Sequence, residues 1–461
     1  MPDDEYTEVL TIADRHAREW LNSVAERPIA ASATPEEVQA ALGVELADEG
    51  RDPADVVDAL AEAIEPGLIA MSSPRFYGFV IGGIHPAALG ADWLVSAWDQ
   101  NTGSRLPTPG AAAVEELAAR WLLDVLGLPA ASGVGFVTGG TTANLSCVLA
   151  ARGHVLRRAG WDVERDGLHG APRVRFLAGD SVHSSMVLAG RMAGLGAPRT
   201  VGADHEGRID VDGLARALAE GEGPAIVALQ AGDVHSGAFD DFRAAIAIAH
   251  DAGAWVHVDG AFGLWAGASP SLRHLVAGYE AADSWATDAH KTLNVPYDCG
   301  IAIVADETAM TSALGAHAAY LPLPGAVADP YDHTPELSRR ARGIPVWATL
   351  RSLGRSGVAD LVDGLAAAAR GLADGLARVP GLEVVNDVAF TQVCVAAEGD
   401  ERTTALADGL LADGVVWASP SRWHDRAVVR FAVSNRGTDA TAVSRTIDAV
   451  ERVRAELAAR G

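Results

Sequence analysis

Through the middle of the chain, short apolar runs alternate with stretches of helical pattern. Gly135-Phe136-Val137, Val174-Arg175-Phe176-Leu177, Ala225-Ile226-Val227-Ala228-Leu229, Trp255-Val256-His257-Val258, Ser284-Trp285-Ala286 and Ile301-Ala302-Ile303-Val304 each read as a strand. Near-continuous apolar strands spaced by helices predict an α/β fold, with a mostly parallel sheet covered on both faces. Ahead of them, Val114, Leu117, Trp121 and Leu122 fall on one face of a helix expected from Gly110 to Leu126. Beyond about Pro345 the pattern changes. A long helix from about Val358 to Arg378, then strand, strand, helix, strand and helix, predicts a smaller α+β domain. The expected organisation is a helical segment over 1–70, a large domain over 71–345 and a small C-terminal domain over 346–461. No internal repeat, low-complexity linker or coiled-coil heptad interrupts it.

Composition narrows the function. The chain has 461 residues, 49% of them hydrophobic, enough for one large core and a second, smaller one. Its formal charge of -25, from 61 acidic and 36 basic side chains, repels nucleic acid and anionic membrane surfaces, so neither is expected as a partner. The start, Met1-Pro2-Asp3-Asp4-Glu5, lacks the basic and apolar regions of a signal peptide, and no apolar run is long enough to span a membrane. Cys147, Cys299 and Cys394 are too far apart for a metal knuckle or a redox pair, and so sparse a set suits a reducing compartment. A cytoplasmic protein is expected.

One count carries more chemistry. Lys291 is the only lysine, and every other basic residue is arginine. Arginine cannot lose its proton and attack a carbonyl, whereas a lysine amine can once its surroundings allow. Codon bias with one stray surface lysine is the competing explanation, and the neighbourhood decides between the two.

In open parallel sheets, ligands sit at the carboxyl ends of the strands, and four polar clusters lie there. Thr138-Gly139-Gly140-Thr141-Thr142-Ala143-Asn144 leaves a strand and enters a helix, offering close backbone approach and free N–H groups to a phosphate. Gly179-Asp180-Ser181-Val182-His183-Ser184-Ser185 places an imidazole that could stack on a flat ring, cap the next helix or simply pack. His257-Val258-Asp259-Gly260-Ala261-Phe262-Gly263 ends an apolar strand with an acid, which needs a partner there: a protonated pyridine nitrogen, or the N–H groups of the next turn. Asp283 to Lys291 brings the sole lysine to the same rim. Together they offer a phosphate cradle, a stacking imidazole, a carboxylate for a ring nitrogen and an amine for an aldehyde.

These motifs resemble the group II decarboxylases dependent on pyridoxal 5'-phosphate (PLP), the family of aromatic-amino-acid and glutamate decarboxylases. The likeness runs from about Ser72 to Ser434. It implies the fold-type I, aspartate aminotransferase-like scaffold, and an enzyme that converts an amino acid to its amine and carbon dioxide. By that resemblance Lys291 carries the cofactor as a Schiff base, and His290 beside it meets the phosphate. His183 stacks on the ring and contacts the substrate carboxylate, Asp259 pairs with the pyridine nitrogen, and Ala261 packs beneath it. Gly140 and Thr141 match the phosphate turn, and Pro109 and Glu115 a helix entry. A homodimer is also implied, with active sites completed across the interface. Phe76, Tyr77, Phe79, His85, Trp98, Gln100 and Asn101 fall where the family lines its pocket mouth, which suits an aromatic or aliphatic substrate. Arg105 is a candidate for a side-chain carboxylate, so small and acidic substrates stay open.

The chain also departs from the family. Val234 stands where a threonine is usual, flanked by the titratable Asp233 and His235, and Asp288 stands at the phosphate site where some relatives place an asparagine. An anion beside a phosphate is unfavourable unless it points away or caps a backbone N–H. The catalytic tyrosine of the family's mobile loop aligns with Tyr331, with Tyr320 second. These departures keep other reactions of the same cofactor in view: aldehyde formation, aldol-type cleavage or transamination.

Overall fold

The computed structural model describes residues 3–315 and 328–460, with side chains from Tyr6 to Ala459. Among the described residues, twelve strands follow in chain order. They are β1 (Phe76–Tyr77), β2 (Gly133–Val137), β3 (Arg175–Gly179), β4 (Arg199–Val201), β5 (Ala225–Gln230), β6 (Trp255–Asp259), β7 (Ser284–Asp288), β8 (Gly300–Val304), β9 (Leu382–Val384), β10 (Gln392–Ala397), β11 (Trp417–Trp423) and β12 (Arg426–Ala432). Seven form one sheet in the order β2-β8-β7-β6-β5-β3-β4. Strands β7, β6, β5, β3 and β4 run parallel, and only β8 opposes its neighbours. This is the mostly parallel α/β sheet the pattern predicts. Every residue of β5, β6, β7 and β8 is buried, because helices cover both faces and no face is left for polar alternation.

The second sheet has the order β1-β11-β12-β10-β9 and carries its own core, with Leu372, Val393, Phe431 and Val450 fully shielded. Two boundaries differ from expectation. The helix Gly343–Leu376 begins well before Val358 and crosses the expected junction at 345/346, bending at Gly354, where φ is 64°. Segment Phe76–Tyr77 pairs with β11, so this stretch of the presumed large domain belongs to the small sheet. One strand more than expected is present at the C-terminal end, because β11 and β12 form a hairpin.

The site depends on how the two sheets are tied. Asn294, fully buried, donates from Nδ2 to the carbonyls of Lys291 (3.1 Å), Thr292 (2.9 Å) and Ser434 (2.9 Å). Its Oδ1 accepts the N–H groups of Gly83 (2.7 Å) and Arg436 (2.9 Å). One amide thus joins the turn after β7, the segment after β1 and the segment after β12. Gly82 completes the contact: its N–H reaches the carbonyl of His290 at 3.2 Å, and a Cβ there would lie 2.2 Å from the carbonyl of Lys291.

Candidate active site

The parallel strands deliver their polar residues to one rim, around a cavity of about 310 Å³. His183, Gln230, Asp259, Lys291 and Arg430 supply its polar wall, and Phe79, Ile81, Val234, Phe262 and Tyr297 its apolar one. Of the expected residues, Lys291, His183, Asp259, Ala261 and Phe79 are brought together here.

Asp259 closes β6 and is held from two sides. Oδ2 accepts Nδ2–H of Asn144 at 2.9 Å, and Oδ1 accepts the N–H of Ala261 at 3.2 Å. Asn144, buried in the helix Gly140–Arg158, is itself oriented by His257, whose Nε2 lies 3.0 Å from Oδ1 of the amide. Nδ1 of His257 faces Ser284 Oγ at 3.0 Å, and Trp255 Nε1 donates to the same hydroxyl at 2.9 Å. Ser284 therefore accepts from Trp255 and donates to Nδ1, leaving the proton of His257 on Nε2. Burial lowers the His257 pKa to about 4, so the ring is neutral at neutral pH. The chain Trp255–Ser284–His257–Asn144 fixes a carboxylate with lone pairs open to the cavity.

His183 both caps a helix and faces the cavity. Its Nδ1 accepts the N–H of Ser185 at 3.2 Å at the start of the helix Ser184–Met192, which puts the ring proton on Nε2. Enclosure by protein holds this imidazole below the usual histidine range; Asp259 opposes that shift and Lys291 adds to it. The ring is thus a neutral Nε2–H donor.

Lys291 follows β7, its Nζ 2.8 Å from Oδ2 of Asp288. His290 accepts the N–H of Cys299 on Nδ1 at 3.2 Å, and its ring stacks on Tyr297 with centroids 4.2 Å apart. Gly139 and Gly140 lead into the helix Gly140–Arg158 directly beside Asp288, whose Oδ2 would be 2.7 Å from a Cβ on Gly140. Thr141 is exposed in the first turn. Asp288 points neither away nor at a backbone N–H; it turns into the cradle.

Arg430 and Tyr297 escaped the sequence reading. Arg430 stands in β12 at 8% exposure, donates from Nη1 to the carbonyl of Val234 at 2.7 Å, and leaves its buried Nε without a partner among the described residues. A cation inside Val428-Val429-Arg430-Phe431-Ala432 was the available signal, since a buried charge needs a reason.

Several expectations are corrected. Phe76 and Tyr77 are each 1% exposed in the small sheet, Phe76 stacked on Trp417 and Tyr77 bonded to Thr446 Oγ1 at 2.9 Å, so neither lines the cavity. Tyr331 is 3% exposed in the turn Pro330–His333, its N–H on the carbonyl of Gly103 at 2.9 Å, outside the cavity. Tyr320 lies outside the described residues. Trp98, Gln100 and Asn101 lie exposed beyond the cavity lining, and His85 caps the helix Pro86–Trp98. Arg105 is ion-paired with Glu116, and Glu115 holds Arg339 in a buried bidentate pair at 2.9 and 2.7 Å. Asp233 satisfies its own loop, with Oδ1 accepting the N–H groups of His235 (2.8 Å) and Ser236 (3.0 Å), while His235 Nε2 meets Ser421 Oγ at 2.9 Å. Of that trio, only Val234 reaches the cavity.

The residues present fit PLP. A lysine amine, a carboxylate with free lone pairs, an imidazole and a glycine turn that a single Cβ would fill surround one cavity. Comparison with known proteins agrees. The model of the pyridoxal-dependent decarboxylase conserved domain matches residues 35–398. Tryptophan decarboxylase 1 of Oryza sativa subsp. japonica is 29% identical over 420 residues, covering 83% of this chain and 81% of that protein. Human cysteine sulfinic acid decarboxylase is 26% identical over 371 residues, 78% of this chain and 74% of that one. The crystal structure of Oryza sativa TDC with PLP and tryptamine superposes with a TM-score of 0.92 at 25% identity, over 99% of this chain and 98% of that chain. Cavity chemistry, fold and a match across most of the length converge: the chain belongs to the pyridoxal-dependent decarboxylase family, as an amino-acid carboxy-lyase that uses pyridoxal 5'-phosphate.

Proposed function

We propose that the substrate is a free amino acid with an apolar or aromatic side chain, and that Lys291, Asp259, His183 and Arg430 carry its decarboxylation. The observation behind this reading is the wall of Phe79, Ile81, Val234, Phe262 and Tyr297, together with the lack of any cation among the described lining residues beyond Lys291 and Arg430. An acidic side chain would need a second cation once the α-carboxylate is held.

Bound at Lys291, the cofactor supplies an electron sink for the bond to the departing carboxyl group. Asp259 holds a proton at the ring nitrogen, which keeps that sink strong. His183 covers the ring and presents Nε2–H to the substrate. Arg430, desolvated and with an unused N–H, docks the α-carboxylate. Two protonated groups line the cavity: Nε2–H of His183 and the phenol of Tyr297, whose pKa partial enclosure by protein raises to about 12, with Asp288 adding. The proton at Cα is assigned to this pair in place of Tyr331.

A homodimer belongs to the same reading. Phe79 and Tyr297, at the cavity, are 59% and 57% exposed, apolar surface that a second copy would cover. A cytoplasmic location is consistent with three free, buried cysteines, and no described helix is long and apolar enough to cross a membrane.

The test is a panel of amino acids given to cofactor-loaded protein, with products read by mass spectrometry and carbon dioxide in parallel. An amine from tryptophan, tyrosine, phenylalanine or a branched aliphatic acid, in step with carbon dioxide, is expected. Amine only from glutamate, aspartate or cysteine sulfinate would overturn the substrate class. Aldehyde, keto acid or a cleaved fragment would overturn the reaction type.

A further inference from the structure

Asp288 is an anion built into a site for an anion. It closes β7 at 2% exposure, and its carboxylate lies against the glycine turn, where a Cβ on Gly140 would come within 2.7 Å of Oδ2. Oδ2 is 2.8 Å from Lys291 Nζ. Oδ1 is buried and has no hydrogen-bond partner among the described residues, the nearest cationic candidate being His290 Nε2 at 3.6 Å. Because Nδ1 of His290 accepts the N–H of Cys299, its proton sits on Nε2, on the side of Asp288. The same ring reaches the turn, with Cε1 3.4 Å from a Cβ on Gly139.

Loading the cofactor changes the charge here twice. The phosphate brings between one and two negative charges at neutral pH. Lys291 joins the aldehyde carbon with loss of water and of its ammonium proton, so its nitrogen leaves Asp288 without its charge. The ion pair that satisfied Asp288 is lost as a second anion arrives, and no other described cation stands ready to replace it. A carboxylate and a phosphate can share this space only with a hydrogen between them, or with an imidazolium beside them.

We propose that the Asp288–His290 pair takes up one proton as the phosphate enters the Gly139–Gly140 turn, so that the protein's preference for pyridoxal phosphate over pyridoxal weakens as pH rises. That proton is matched by the one Lys291 gives up, and no bond forms beyond the one at Lys291. The inference rests on the cofactor assignment above.

The surroundings leave few other groups to do this. On its own turn Asp288 faces Lys291 and His290. Tyr297 stacks on His290, and Cys299 lies on the return strand side; burial of the thiol and partial enclosure of the phenol keep both in their neutral forms. Asp298 lies beyond His290 and is ion-paired with Arg342 at 2.8 Å, while His183 stands across the cavity. The first turn of the facing helix, Gly140-Thr141-Thr142-Ala143, has no ionisable side chain. Burial holds His290 below the usual histidine range and Asp288 opposes that, so an added phosphate is placed to tip the ring toward its charged form.

The test uses the full chain stripped of cofactor and titrated with PLP, or with pyridoxal, which lacks the phosphate. Calorimetry in two buffers of different ionisation enthalpy counts protons, and absorbance gives the affinity from pH 7 to 9. The wild-type protein is expected to absorb close to one more proton with PLP than with pyridoxal. The ratio of its PLP affinity to its pyridoxal affinity should fall by close to tenfold per pH unit. D288N should bind PLP more tightly at pH 9, with that ratio nearly independent of pH and the extra proton gone. Equal proton counts for the two ligands in the wild type would overturn the proposal whatever the variant does, as would weaker PLP binding by D288N. Binding of neither ligand would overturn the cofactor site itself, and the proposal with it.

Discussion

At the scale of single residues, the site is held by side chains that never touch a substrate. Asn144 bridges the neutral His257 and the charged Asp259, and also donates to Ser185 Oγ at 3.2 Å, next to His183. N144A would leave a buried carboxylate oxygen and a buried imidazole N–H without partners. The expected cost is about 1–3 kcal/mol of stability for each. Weaker PLP binding should accompany it, since Asp259 loses one of its two fixing bonds. Urea unfolding and a PLP titration check both, and unchanged values would show that the amide only fills space. Lys291 was legible from sequence because it is the sole lysine, and Asp259 because an acid ended an apolar strand. Arg430 was not: among so many arginines one more has no contrast, and only the fold shows that it points into a cavity. Asn144 stood in the recognised glycine turn, but the His257 and Asp259 it bridges lie on β6, more than a hundred residues away.

Elements, in turn, are placed by close backbone contacts. The segment after β1 passes so near the Lys291 turn that Gly82 has no room for a side chain, with the Lys291 carbonyl 2.2 Å from a Cβ. Gly90, in the helix Pro86–Trp98, has nothing within 4 Å of its own. G82A is therefore expected to shift the lysine turn and lower PLP affinity by tenfold or more, with a loss of several kcal/mol in stability. G90A should be neutral or stabilising by about 0.5–1 kcal/mol. Thermal melts and PLP titration of the pair distinguish a specific clash from a general intolerance of alanine. The six apolar runs were legible as strands because both faces of the sheet are covered. Strand β4, Arg199-Thr200-Val201, was missed because it is a three-residue edge whose first two residues are exposed. The resemblance puts Phe76 and Tyr77 at the pocket mouth, but likeness at motifs does not reveal a two-residue strand; their pairing with Trp417 and Ala418, 341 residues on, decides it.

For the whole molecule, stability against acid is set by buried groups of opposite sign. His257 is fully buried, with its pKa lowered from 6.5 to about 4, so below pH 6.5 the unfolded chain binds a proton that the native state refuses. Stability from this group is complete above pH 6.5 and is lost as pH falls, by about 2 kcal/mol between pH 7 and 5. Asp240 does the reverse. Burial raises its pKa from 3.8 to about 7, although Oδ1 and Oδ2 accept the N–H groups of Ile209 and Gln230, each at 2.7 Å. The native state holds its proton in the range where the unfolded chain has lost it, so this contribution falls as pH rises from about 4 to 7, again by about 2 kcal/mol between pH 5 and 7. The two slopes nearly cancel in the wild-type chain. Substitution should separate them. With PLP saturating throughout, H257Q is expected to gain about 2 kcal/mol relative to wild type on going from pH 7 to 5, and D240N to lose a similar amount. Urea unfolding at the two pH values reads both differences, in which every group common to variant and wild type drops out. Parallel pH profiles for wild type and H257Q would mean that the native ring takes up its proton in the ordinary histidine range. Nδ1 would then donate to Ser284 Oγ, while Nε2–H still held Oδ1 of Asn144.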